Sequence, residues 1–322
     1  MREGLFLKKN IDKWKKYQYE KPSDPDEMAQ QFTELVNDLG YAKTFYPQSK
    51  VTQYLNGLAS RIYLSIYRNK KEESSRILRF WKTELPLIFR KHRLEILISF
   101  SIFVFFALLA AFSAAHDQQF VRGILGDGYV EMTEDNISRG DPFGVYKNDS
   151  ELNMFFYIAL NNIYVSYRMF VMGFLLGLGS VKELFSNGVM LGAFQYLFFS
   201  KGLGWSSILV IWIHGTIEIS CIILAGAAGL IIGRSILFPG TYKRIQSLMK
   251  GGKDGVKIMI GITPLILMAA FLEGFVTRHS GMPQLISVSI LLISLSFMIW
   301  YVVIYPARLA NRSLKSDSSQ TA

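Results

Sequence analysis

The sequence has little with which to staple itself: one cysteine in 322 residues, Cys221, placed inside an apolar run. No intrachain disulfide can form, so the fold must rest on packing and hydrogen bonding. No long apolar run occurs before Leu94. Near the start only Leu5, Phe6 and Leu7 are consecutive apolar residues, with no small-residue cleavage site behind them, so a cleaved signal peptide is not expected. The sequence also lacks the His-Glu-x-x-His helix of zinc hydrolases and the Gly-x-Ser-x-Gly turn of serine hydrolases. Residues 1–93 hold neither a glycine-rich phosphate loop nor a strand-period alternation. These gaps argue against an enzyme, and no cofactor or metal is expected.

What is present is unevenly spread. Half the residues are apolar, and all the long apolar runs fall from Leu94 onward. The formal charge of +10 could suggest a nucleic-acid binder, but residues 1–93 hold 19 Lys or Arg against 11 Asp or Glu, and 19 − 11 leaves +8 beside the first apolar run. Cations there meet anionic lipid headgroups, worth about 1 kcal/mol each near a bilayer surface. The partner implied is a lipid bilayer, not nucleic acid.

A membrane helix needs about twenty mostly apolar residues, because hydrocarbon satisfies no exposed backbone group. Six stretches qualify: residues 94–115, 155–179, 184–200, 205–233, 256–276 and 285–304. The third is short and carries Asn187-Gly188 near its start, which would suit a tilted or re-entrant segment. Tyr305-Pro306 is expected to end the last helix, since proline cannot donate the next backbone bond. The charges between the runs alternate as the positive-inside rule requires. Arg76, Arg79, Lys82, Arg90, Lys91 and Arg93 precede the first run. The segment 116–151 carries eight acids against Arg122, Arg139 and Lys147. Arg234, Lys243, Arg244, Lys250, Lys253 and Lys257 join the fourth run to the fifth, and Arg308, Arg312 and Lys315 follow the sixth, while the short outer connections hold only Lys201 and Arg278. The expected fold is an all-α polytopic bundle, with a basic helical region 1–93, a bundle 94–306 and a tail 307–322. Both termini would be cytoplasmic and the chain would sit in a bacterial inner membrane.

Within 1–93, residues 2–17 read as a helix with Leu7, Ile11 and Trp14 on one side and lysines around them. Such a face suits a membrane interface, or packing on the rest of its own domain. Ser23, Asp24 and Pro25 signal a helix start. A further helix over 51–67 carries Tyr54, Leu55, Leu58, Ile62 and Ile66 along one side. The region is too short to bury much core unaided, and a kink is expected at Pro86.

Four titratable residues fall inside the expected spans: Arg168, His214, Glu218 and Glu273. On insertion scales an Arg or Asp at a helix centre costs about 2.5–3.5 kcal/mol, so each marks a candidate site facing other helices. In the fourth run, steps of about 100° per residue put Ser207, His214, Glu218, Cys221, Ala225 and Ala228 in one sector. Ile208, Val210, Ile213, Ile222 and Ile223 fall on the outward remainder. A His and a carboxylate one turn apart can fix one another, relay a proton or bind a metal, but a catalytic zinc needs a third protein ligand. His92, His116 and His279 all lie near span ends, which leaves a structural pair or proton and solute handling. Arg168 could reach Glu218, although its azimuth differs from that of Asn162 and Gly173; Asn162 and Asn187 are the better partners. Gly173 with Gly177, Gly188 with Gly192, and Gly229 with Gly233, together with Gly226, read as helix-packing glycines that let backbones approach.

Taken in order, Asn161-Asn162, Phe170, Gly173, Gly177-Leu178-Gly179, Phe185-x-Asn187-Gly188-x-x-x-Gly192, His214-Gly215-x-x-Glu218 and Ala225-Gly226-Ala227-Ala228-Gly229 resemble the stage II sporulation protein M family. The likeness covers residues 155–233 well and the last spans loosely. It implies a cytoplasmic-membrane protein without an established enzymatic activity, the namesake acting in membrane migration during engulfment together with peptidoglycan-degrading partners. The extra region 1–93 is similar to that of extended homologues in non-sporulating bacteria. A scaffold for envelope or peptidoglycan-remodelling proteins is what the resemblance suggests, and a homo-oligomer is compatible with it. The polar sector of spans two and four supports a transporter or channel instead.

Overall fold

The computed structural model describes residues 2–20, 24–68, 76–147, 150–277 and 281–311. Ser23, Asp149, Arg278, His279, Arg312 and Lys315, used above, lie outside them. Among the described residues there is no strand. The chain divides into two compact units, Met1–Arg76 and Ile77–Ala322, so the division falls ahead of Arg93 and the residues just before the first apolar run belong to the larger unit.

The small unit holds α1 (Glu3–Tyr19), α2 (Pro25–Phe45) and α3 (Lys50–Arg68). Asp24 caps α2 by accepting from the Asp26 backbone N–H, and Pro25 supplies the preset φ of a first turn. Contrary to the expectation of a meagre core, ten buried apolar residues from the three helices close on one another. Trp14 is fully buried and its indole N–H donates to Asp38 at 2.8 Å, while Phe6 stacks on Tyr41. Of the face read as Leu7, Ile11 and Trp14, Trp14 is buried in this core and Ile11 packs against it, while Leu7 is exposed. Burial, and then the Glu34 carboxylate that accepts the Tyr17 hydroxyl hydrogen bond, raise the Tyr17 phenol above its ordinary range.

Helix α4 (Arg76–Arg79) carries the chain across the division, and the large unit continues with a π-turn Phe80–Glu84 and α5 (Leu85–Lys91). The main helices follow: α6 (Arg93–His116), α7 (Gln118–Leu125), α8 (Asp127–Ser138), α9 (Glu151–Val171), α10 (Leu178–Ser200), α11 (Gly204–Leu237), α12 (Arg244–Phe271) and α13 (Gln284–Ile299). Among the described residues, four helical stretches are long and apolar enough to cross a membrane: Arg93–His116, Gly204–Leu237, Arg244–Thr277 and Gln284–Asn311. The stretches expected as second and third spans are helical, as α9 and α10, but are not among these four, because Asn161, Asn162 and Arg168 dilute one and Lys182, Glu183, Asn187 and Gln195 the other. Helix α10 starts at Leu178, earlier than expected, and runs without a break through Asn187-Gly188.

Two further expectations fail for physical reasons. The last helix does not stop at Pro306 but continues to Asn311. A π-turn at Trp300–Ile304 directly before the proline widens the helix where the ring would meet a carbonyl one turn back. A similar π-turn precedes Pro86, which then sits in the first turn of α5. The second failure concerns the α11 residues expected outward: Val210, Ile213, Ile222 and Ile223 are buried along with His214, Cys221, Ala225 and Ala228, Ile208 is half-buried, and exposure is confined to residues near the helix ends such as Trp205 and Leu237. Helix α11 packs against α6, α9, α10, α12 and α13, making it the axis of the bundle.

Small residues allow that crowding. A Cβ on Gly173 would run into the backbone of Gly229, and one on Gly233 into Gly177. Gly188 and Gly192 meet the α6 backbone at Phe103 and Ala107, and Gly226 faces Ser99 and Leu184. The turn from α9 to α10 is left-handed at both Leu176 (φ 55°) and Gly177 (φ 83°). Glycine tolerates that conformation and leucine is strained in it.

Candidate functional site

The candidate polar residues of α11 lie along the inside of the bundle. Ser207, His214 and Cys221 are buried, and Glu218 is partly buried one turn beyond His214. What faces it was not foreseen. Helix α12 ends in a π-turn, Leu272–Thr277, which turns Glu273 and Thr277 toward His214. The imidazole Nδ1 shares a hydrogen bond with Thr277 Oγ1 at 2.9 Å, and Nε2 stands 3.7 Å from Glu273 Oε2. One ligand atom from each of His214, Glu218 and Glu273 lies within 4.8 Å of the others. Asn162 of α9 stands beside the Glu218 carboxylate, and its Nδ2 is buried with no hydrogen-bond partner among the described residues. Tyr129 of α8 stands near Glu273: burial, and the charge of that carboxylate, push its phenol above the ordinary range.

The other two residues assigned to this site belong elsewhere. Arg168 pairs with Glu183 at 2.5 Å rather than with Glu218, and its guanidinium lies over the Tyr164 ring. Asn187 donates to the Glu183 carbonyl at 2.8 Å. Glu183 is nearly inaccessible and also meets Lys182, so it forms a second, charge-neutralised cluster at the α9–α10 turn. Its desolvation is offset by these two cations. By the expected boundaries Glu183 fell between spans, which hid the pairing.

A third network was not signalled. His92 Nε2 lies 3.0 Å from Asp254 Oδ2, which also takes Lys91 at 2.6 Å, and His92 Nδ1 is 3.7 Å from Glu95 Oε2. The other Glu95 oxygen pairs with Arg234. This network ties α5 and α6 to α11 and α12. Burial alone would lower the His92 imidazole, but the hydrogen bond with Asp254 and the charge of nearby Glu95 outweigh it and hold the ring above its ordinary value of 6.5.

The polar groups do not line the apolar cavity found between α5, α6, α11 and α13. That cavity, of about 680 Å³, is walled by Phe89, Leu97, Phe100, Ile223, Met298 and Val302 and their neighbours, with Arg90 and Arg93 also on its lining. The His214 site is a cluster between packed helices, suited to holding a proton or a cation.

Comparison with known families agrees with the motif reading. The model of the stage II sporulation protein M family matches residues 99–278, and that of a domain of unknown function (DUF8413) matches residues 4–68. No curated protein and no solved structure matches the chain.

Proposed function

The chain belongs to the stage II sporulation protein M family and is a membrane protein with transmembrane helices, and from that premise we propose that it acts as a non-enzymatic scaffold in the bacterial cytoplasmic membrane. The proposed topology has six spans, α9 and α10 included. Both termini and the basic α11–α12 connection are cytoplasmic, and the acid-rich segment 116–151 is outside. Charge alternation supports this orientation.

The observation that carries the scaffold reading is the pairing of a self-contained helical unit, Met1–Arg76, with a bundle whose helices meet backbone to backbone at Gly173–Gly229 and Gly177–Gly233. Close contacts of this kind favour a rigid platform over a bundle that rocks between two states. The small unit and the outer segment are then free to hold proteins on opposite sides of the membrane, the envelope-remodelling machinery being the class the family suggests.

Deletion of residues 1–76, assayed by complementation of a deletion strain with membrane insertion verified, tests the reading. A scaffold loses function while the bundle still inserts; full complementation by the truncated chain would overturn it. One observation favours a second reading, ion or solute handling: the His214, Glu218 and Glu273 cluster inside the bundle. On that reading Glu218→Gln abolishes function without loss of folding, whereas a scaffold tolerates it.

A further inference from the structure

We propose that His214, Glu218 and Glu273 bind one divalent transition-metal cation within the bundle, a role independent of the scaffold reading. Four observations support it. First, the three ligand atoms already lie within 4.8 Å of one another. Zinc–nitrogen and zinc–oxygen bonds of about 2.0–2.2 Å place tetrahedral ligands about 3.4 Å apart, so small side-chain rotations close the site.

Second, the histidine is held as a metal ligand is generally held. Thr277, itself buried, engages Nδ1 and leaves Nε2 facing Glu273. Fixing the other ring nitrogen sets the orientation of the ligating one. Asn162, with its buried Nδ2 lacking a hydrogen-bond partner, stands against Glu218 as a donor for the carboxylate oxygen that the cation does not use.

Third, two carboxylates converge with no Lys or Arg in an ion pair to either among the described residues. Like charges gathered inside a bundle are costly unless neutralised, and a single dication neutralises both. The acidic segment 116–151, whose Tyr129 stands near Glu273, would raise the local cation concentration at that end of the bundle.

Fourth, Glu273 is placed by a π-turn, a local distortion that recurs at functional sites, and here it sets both Glu273 and Thr277 on the same imidazole. One nitrogen and two oxygens suit zinc, manganese or ferrous ions rather than calcium, which takes six to eight oxygens. Cys221 is not a ligand, since its Sγ faces the Ile262 carbonyl at 4.0 Å. Three protein ligands leave a coordination position for water or a small anion.

The test uses the full chain, purified in detergent with a tag free of histidine, stripped with chelator, reloaded with Zn²⁺ and desalted. Elemental analysis should find about one zinc per chain, and zinc should raise the melting temperature, because a ligand that binds only the folded state stabilises it. Glu273→Gln and Glu218→Gln, close in shape to the native side chains, should lose the bound zinc and the thermal shift. Thr277→Val should keep the stoichiometry but weaken affinity by about 10–100-fold. If the wild-type chain retains no more zinc than a His214→Ala, Glu218→Gln, Glu273→Gln triple variant, the carboxylates are neutralised by protons and the proposal fails. Should the variants not fold, the wild type alone decides: absence of bound zinc and of a zinc-dependent thermal shift overturns it.

Discussion

Helices α6 and α11 are both long and apolar enough to cross a bilayer, yet 72% of the apolar window of α11 is buried inside the protein and only 17% of that of α6. Apolarity therefore does not report which helix is central. In lipid there is no hydrophobic drive to separate the two, and the difference lies in what each helix can approach. Helix α11 carries Gly226, Gly229 and Gly233, along with Ala225, Ala227 and Ala228, and takes other backbones at contact distance. Helix α6 presents Leu97, Phe100, Phe105, Leu108 and Phe112 outward. Bulk faces the lipid and smallness marks the axis.

The largest effect is expected at that axis. Gly229→Leu would push a side chain into the Ser180 hydroxyl and the Met169 carbonyl. Overpacking of this kind costs about 1–3 kcal/mol and occasionally more, so size-exclusion chromatography should show aggregated or unfolded protein. An intact, monodisperse variant would show that α11 and the α9–α10 turn are not in backbone contact.

Next comes the network at the α5–α6 junction. Arg234→Ala strips Glu95, whose side chain is 5% exposed, of its arginine. Leaving a buried charged group under-satisfied costs about 1–3 kcal/mol, to be read as a lowered melting temperature that Arg234→Lys partly restores.

The same network carries a pH dependence. His92 is faced by Lys91, Glu95 and Asp254, with Arg234 behind Glu95. Because its folded-state value is raised, its contribution is complete below the ordinary 6.5 and fades as pH rises through the folded value. The melting-temperature gap between wild type and His92→Gln should accordingly be wider at pH 6 than at pH 9. An equal gap at both would remove His92 from the account.

The smallest effect is expected on the lipid face. Leu108→Ala, at a residue 67% exposed, should change stability by no more than about 0.5 kcal/mol in thermal melts. A larger loss would mean that α6 is covered, for instance by a second copy of the chain.

Much of the bundle was legible because its determinants are local. The step of 100° per residue brought His214, Glu218, Cys221 and Ala225 to one face, and spaced glycines marked the crossings. The rest depended on partners distant in sequence or on helix defects. Glu273 joins His214 only because α12 ends in a π-turn, and a regular-helix reading cannot anticipate that turn. Arg168 found Glu183 because α10 begins at Leu178, a boundary set by the left-handed turn at Leu176 and Gly177 rather than by apolarity. Pro306 was misjudged for a related cause, since the preceding π-turn accommodates the ring. The isoleucines of α11 were assigned outward because sequence gives the polar sector of a helix but not how many neighbours surround it.

The central claim, that α11 is the enclosed axis of the bundle and α6 its lipid-facing wall, is tested most directly by labelling the native chain in a bilayer with a membrane-partitioning diazirine, followed by residue-level mass spectrometry. The account predicts dense labelling on α6 at Phe105, Leu108 and Phe112, and protection of Val210, Ile213, Ile222 and Ala225 to Gly233 on α11. Labelling of Ile213 and Ile222 at the density found on α6 would contradict it.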